Sequence, residues 1–104
     1  MEIDDVARLA ESLPGVRCRT PEGLAEWRLH GRLVARQLDE VRVVIRADFD
    51  YRDSVLRQYP STFSVPNRFA KHMMVVADLS EGDPGAIEDA IEAAWQLQRS
   101  SDRP

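Results

Sequence analysis

Residues 26–47, EWRLHGRLVARQLDEVRVVIRA, alternate in two registers at once, and that double alternation limits what the chain can become. Trp27, Leu29, Val41, Val43, Ile45 and Ala47 fall on one parity. Arg28, His30, Arg42 and Arg46 fall on the other, joined by Arg32 and Arg36. Successive side chains of a strand point to opposite faces, so the pattern predicts a sheet with one apolar face and one arginine-rich face. Residues 26–30 read as one strand, with Gly31 as a tight turn or bulge. Residues 32–38 form a second, less cleanly alternating strand, because Leu33, Val34 and Ala35 are apolar on both parities. After the short turn at Asp39 and Glu40, the β-branched run 41–47 gives a third strand. Connections this short force an antiparallel meander.

Helical periodicity brackets this sheet. Val6, Leu9, Ala10 and Leu13 recur at i, i+3, i+4 and i+7 behind a cap at Asp4 or Asp5, and Pro14-Gly15 stops that helix. Residues 16–23, with Pro21 and Gly23, read as an irregular connector. Asp50 caps a short second helix carrying Val55, Leu56 and Tyr59, with Asp53 at the capping-box position and Pro60 as its stop. Residues 62–65 form a short edge strand closed by Pro66. Residues 68–79 read as a longer strand, with Met73, Val75, Ala77 and Leu79 on one face and His72, Met74, Val76 and Asp78 on the other. Asp83 and Pro84 then open a final helix whose stripe is Ile87, Ala90, Ile91, Ala94 and Trp95. The tail from about residue 100 is expected to fray.

The predicted order is therefore α-β-β-β-α-β-β-α. It implies an α+β two-layer sandwich, an antiparallel sheet with helices packed on one face, in a single domain over residues 1–104. The other face is left without a covering layer, which is why its arginines matter.

The net charge of −4 argues against a dedicated nucleic-acid binder, but the charge is unevenly placed. Residues 1–16 carry −3, residues 17–46 carry +3 and residues 80–104 carry −4. A basic sheet between acidic helical ends has a local field that can steer an anionic partner. Every basic side chain except Lys71 is arginine. Guanidinium groups bind phosphate and carboxylate bidentately, although a GC-rich coding bias produces the same composition. The single Cys18 rules out an internal disulfide and fits a reducing, cytoplasmic setting. No apolar run reaches the roughly 20 residues of a membrane span.

Several motifs resemble the MmcQ/YjbR family. They are Leu13-Pro14-Gly15-Val16 after the first helix, Trp27, the segment Gly31-Arg32-Leu33-Val34-Ala35, Lys71 before the late strand, and Ala93-Ala94-Trp95 in the last helix. The resemblance spans roughly residues 6–97. It implies a CyaY-like (frataxin-like) α+β fold in a small bacterial protein, and DNA binding through a double-wing motif. Arg32 and Val34 stand where that family usually has Lys and an aromatic residue. Met74 stands where a Trp is common, which removes a base-stacking platform.

The candidate nucleic-acid or anion-binding residues are thus Arg28, His30, Arg32, Arg36, Arg42, Arg46 and Lys71. Like charges opposite one another on neighbouring strands destabilise a sheet unless something anionic offsets them. The alternative occupants of that face are an acidic protein or a small anionic ligand. Frataxin-like metal binding would draw on Asp4, Asp5, Glu11, Glu88, Asp89 and Glu92, but hard cations need convergent oxygen ligands and this spacing is that of solvent-facing helix surfaces. His30 and His72 have no recognisable nucleophile motif beside them, so the chain reads as a binding domain and not an enzyme, with no cofactor implied.

Overall fold

Trp27, Leu29, Val43, Ile45 and Ala47 are all buried and three helices cover them, whereas Val41, of the same parity, is 45% exposed. The computed structural model describes residues 1–101; the tail expected to fray from about residue 100 continues α3 through Ser101, and its remainder lies outside the described residues. Helix α1 spans Ile3–Ser12, α2 spans Phe49–Gln58 and α3 spans Pro84–Ser101. The strands are β1 Val16–Arg19, β2 Glu26–Leu29, β3 Arg32–Gln37, β4 Arg42–Arg46, β5 Phe63–Ser64 and β6 Met74–Asp78. They form one antiparallel sheet in the order β1-β2-β3-β4-β6-β5. This is an α+β sandwich, with a sixth strand that the alternation of residues 26–47 does not announce. No helix among the described residues is long and apolar enough to cross a membrane.

The sixth strand is β1, which reading the segment as a connector misses. Leu13, Pro14 and Gly15 reverse the chain, with Gly15 at φ +82 and Val16 N–H donating to Leu13 O at 3.2 Å. The next four residues then pair with β2 in the register Val16 to Leu29, Arg17 to Arg28, Cys18 to Trp27 and Arg19 to Glu26. Pro21 and Gly23 do break the chain, but only into a 3-10 turn at Pro21–Gly23.

Hairpin β2–β3 turns through His30 (φ 50) and Gly31 (φ 81). Two positive φ angles in a two-residue loop are the geometry that matches the twist of the flanking strands. Inside the hairpin the register slips. Trp27 lies opposite Ala35 while Arg28 lies opposite Leu33, so Val34 is a surplus residue and β3 bulges there. Val34 and Ala35 are both fully buried in the main core, which is how an apolar triplet fits into one strand.

Two helix starts differ from the expected positions. Asp48, not Asp50, caps α2, its Oδ1 accepting Tyr51 N–H at 2.8 Å. In α1 the cap position is Glu2, and Asp5 sits a turn later, accepting Glu2 N–H at 2.8 Å. Asp83 opens α3 as expected, accepting Ala86 N–H at 3.1 Å. The tryptophans tie helices to sheet: Trp27 Nε1–H donates to Glu11 of α1 at 3.2 Å, and Trp95 Nε1–H to Pro14 O at 2.9 Å.

The last strand begins later than its alternation implies. Residues 67–69 form a 3-10 turn (Asn67–Phe69), and the Arg52 guanidinium donates to Ala70 O at 3.1 Å and His72 O at 2.9 Å. Those carbonyls are held by α2, so the ladder starts only at Met74. The loop carries Phe69 onto the face away from the helices, where it packs with Val44 and Val76. That face is therefore not bare across its middle.

Phe69 is 9% exposed, so Phe69→Ala should lower stability by about 3 kcal/mol, read from the urea unfolding midpoint. Gly82 is held for a different reason: a Cβ there would collide with the Asp78 carbonyl oxygen and press on Thr62 and Ile87. Gly82→Ala should cost about 1–3 kcal/mol by the same measurement.

Candidate anion-binding face

Face membership follows from register, since residues directly opposite on neighbouring strands share a face. One row reads Arg19, Glu26, Arg36, Val44, Val76 and Ser64 across all six strands. The adjacent row reads Arg17, Arg28 and Leu33. Of the expected residues, Arg28 and Arg36 thus share the face turned away from the helices. Arg42 and Arg46 lie on it too, on either side of Val44.

The other three do not join them. The bulge at Val34 puts Arg32 opposite Leu29, whose side chain belongs to the core face, so Arg32 leaves the arginine face. His30 occupies the hairpin turn and not a strand position, at φ 50. Lys71 is exposed on the loop between the 3-10 turn and β6, not on the strand. Conversely, Arg17 and Arg19 of β1 belong to the face and were absent from the expected set. Their signal was present in the sequence as the alternation Val16-Arg17-Cys18-Arg19, too short to stand out beside Pro21. Arg68 also belongs here through a contact no spacing announces: its guanidinium lies 4.8 Å from the Phe69 ring centroid, and that of Arg36 lies 5.9 Å from it. The aromatic ring thus holds two cations against the sheet.

The arginines divide into a balanced end and a basic end. At the balanced end Arg42 Nε–H donates to Asp39 at 2.8 Å, and Asp78 lies directly across on β6. Asp39 also accepts Val41 N–H at 3.0 Å and Arg42 N–H at 2.9 Å. The Arg42 hydrogen bond, with the Val41 amide behind it, holds the Asp39 carboxyl below the ordinary range. The Ser80 hydroxyl does the same for Asp78.

At the basic end stand Arg17, Arg19, Arg28 and Arg36 with Glu26 among them, and Glu22 lines the same shallow pocket as Glu26 and Arg36. Arg28 Nε–H donates to Glu26 at 2.9 Å and its Nη1–H to Gly31 O at 2.9 Å. That hydrogen bond, and then the charges of Arg28, Arg19 and Arg36, lower the Glu26 pKa. No side-chain hydrogen bond or ion pair engages Arg17 or Arg19 among the described residues, although the Arg19 carbonyl accepts from the Cys18 thiol at 3.7 Å. Both are exposed.

No protein-family model and no curated protein matches the chain. The six carboxylates considered for metal binding do not gather: among the described residues no group of three or more His, Cys, Asp or Glu side chains could hold an ion. Asp5 is already engaged, accepting from Arg8 at 2.6 Å. His72 is exposed on the loop before β6. Cys18 is exposed, yet partial loss of solvent around its sulfur, and then the nearby charges of Glu11 and Glu26, raise its pKa.

Glu26, Asp39 and Asp78 all titrate below their ordinary values of 4.5 for Glu and 3.8 for Asp. A depressed carboxylate stabilises the fold above its unfolded pKa and loses that contribution as pH falls through its folded one. Stability measured by urea should therefore hold down to about pH 5 and fall below pH ~4. Asp39→Asn should flatten that acid limb.

Proposed function

We propose that the protein is a non-enzymatic binding domain whose basic sheet end holds the phosphate backbone of DNA. The observation that carries this is the exposed pair Arg17 and Arg19, whose side chains make no hydrogen bond or ion pair among the described residues, continued by Arg28 and Arg36 beside Glu26. Four guanidinium groups on two adjacent rows of a sheet form a surface that follows a charged backbone. The Arg17 and Arg19 guanidinium groups can each take a phosphate oxygen pair bidentately, while Arg28, held by Glu26 and Gly31, has fewer donors to offer. The resemblance to the MmcQ/YjbR family points to the same partner.

The chemistry favours contact with phosphates over contact with bases. Phe69 is the aromatic ring on this face, and it is buried beneath Arg36 and Arg68, so it offers no platform for stacking. A surface of this kind positions a duplex without reading its sequence. The overall charge of −4 weakens long-range attraction, and affinity should fall steeply with salt.

The test is an anisotropy titration of a short labelled duplex at several salt concentrations. Four phosphate contacts predict a slope of log K against log salt of about −3.6. Arg17→Ala and Arg19→Ala should each reduce that slope by about 1, while Arg57→Ala on the outer side of α2 should leave it unchanged. Glu26→Gln keeps the acceptor for Arg28 but removes the negative charge beside it, and should tighten binding several-fold. Absence of binding at low salt would remove the reading.

A further inference from the structure

The sheet has two edges, and they differ in kind. At one end β5 is two residues long, lies between Pro60 and Pro66, and packs against α2. At the other end β1 is four residues long, and Arg17, Cys18 and Arg19 are all exposed. Among the described residues no backbone hydrogen bond joins these three to any segment beyond β2. An open strand edge presents unpaired N–H and C=O groups and is a template for another strand.

The side chains decide which strand fits. Arg19 begins the row Arg19, Glu26, Arg36, in which charge alternates in sign. An acid placed opposite Arg19 continues that alternation. Arg17 sits beside Arg28 with no acid on its own side of the row, so an acid opposite Arg17 relieves a like-charge neighbour. On the other face, Cys18 lies opposite buried Trp27 and within the field of Glu11. A residue facing Cys18 should therefore be uncharged and apolar. The matching guest has acids at every second position with apolar residues between them.

A second copy of the chain does not meet that description. Antiparallel self-pairing centred on Cys18 would set Arg17 opposite Arg19 of the other copy, twice, and like charges directly opposite destabilise the pair. The same two arginines that refuse a second copy select an acidic strand.

We infer that the β1 edge is a docking site for an extended acidic segment of a partner protein, which adds to the sheet as a seventh strand beside Arg17, Cys18 and Arg19. This goes beyond the reading of the sheet face as a DNA surface, because it uses backbone groups that a phosphate backbone does not need. Arg17 and Arg19 serve both readings, so the test must separate charge from strand pairing.

The probe is the peptide acetyl-Glu-Val-Glu-Val-Glu-amide, followed by amide NMR of the full chain. Binding should shift the amide resonances of Arg17, Cys18 and Arg19 and slow hydrogen exchange at those whose N–H points away from β2. The same peptide methylated on the nitrogens of its three central residues keeps its charge but cannot pair along either edge, and should bind about tenfold more weakly. The double variant Arg17→Glu/Arg19→Glu should instead prefer acetyl-Lys-Val-Lys-Val-Lys-amide. No binding, or equal binding of the methylated peptide, overturns the inference. Duplex binding without peptide binding also overturns it while leaving the DNA reading standing. Peptide binding without duplex binding supports it and removes the DNA reading.

Discussion

One surplus residue governs how this sheet presents itself. The bulge at Val34 lets both Val34 and Ala35 enter the core, and it resets the parity of everything between there and the hairpin turn. Without it β3 would keep Arg32 in phase with Arg36, and three arginines from two strands would crowd one face. With it, Leu33 stands opposite Arg28 and provides an apolar neighbour. A bulge bends and twists its strand as well as inserting a residue, and both effects tend to fan the arginines of β2 and β3 apart.

The polar face is a mosaic for a related reason. A six-stranded sheet with helices on one side has a second side to protect, and this chain protects it with a loop in place of a layer. Arg52 grips the loop by two carbonyls, and the loop delivers one aromatic ring over Val44 and Val76. The ring in turn draws in Arg36 and Arg68. Arginine here has two jobs, since its flat guanidinium seals the ring from water on one surface and presents donors to solvent at its edge. Arg42, by contrast, is tied down by Asp39 and contributes to the shape of the β3–β4 turn.

The apolar half of the architecture was legible because burial enforces parity: Trp27, Leu29, Val43, Ile45 and Ala47 could only share a face. The final helix was legible for the same reason at a different period. Site residues were harder to read, because exposed positions tolerate departures from alternation. Arg32 followed the parity count yet fell on the wrong side of a bulge, although the apolar triplet 33–35 was the visible trace of that bulge. His30 looked like a strand residue because a hairpin turn of two positive φ angles is nearly invisible when its first residue is not Gly or Asn. Residues 68–73 alternate well enough for a strand, but a guanidinium twenty residues away in sequence claimed the carbonyls. Arg17 and Arg19 were hidden by brevity, since four residues beside a proline carry little periodic signal.

The side chain of Gln98 is buried, and its Nε2–H donates to Leu33 O, the carbonyl immediately before the bulge, across 65 residues of sequence. That contact joins the last helix to the point where the register of the sheet is decided. The register of the hairpin is thus held from outside it as well as by its own residues. Which arginines face outward is in this sense a tertiary property of the chain, set in part by a helix on the opposite side of the sheet.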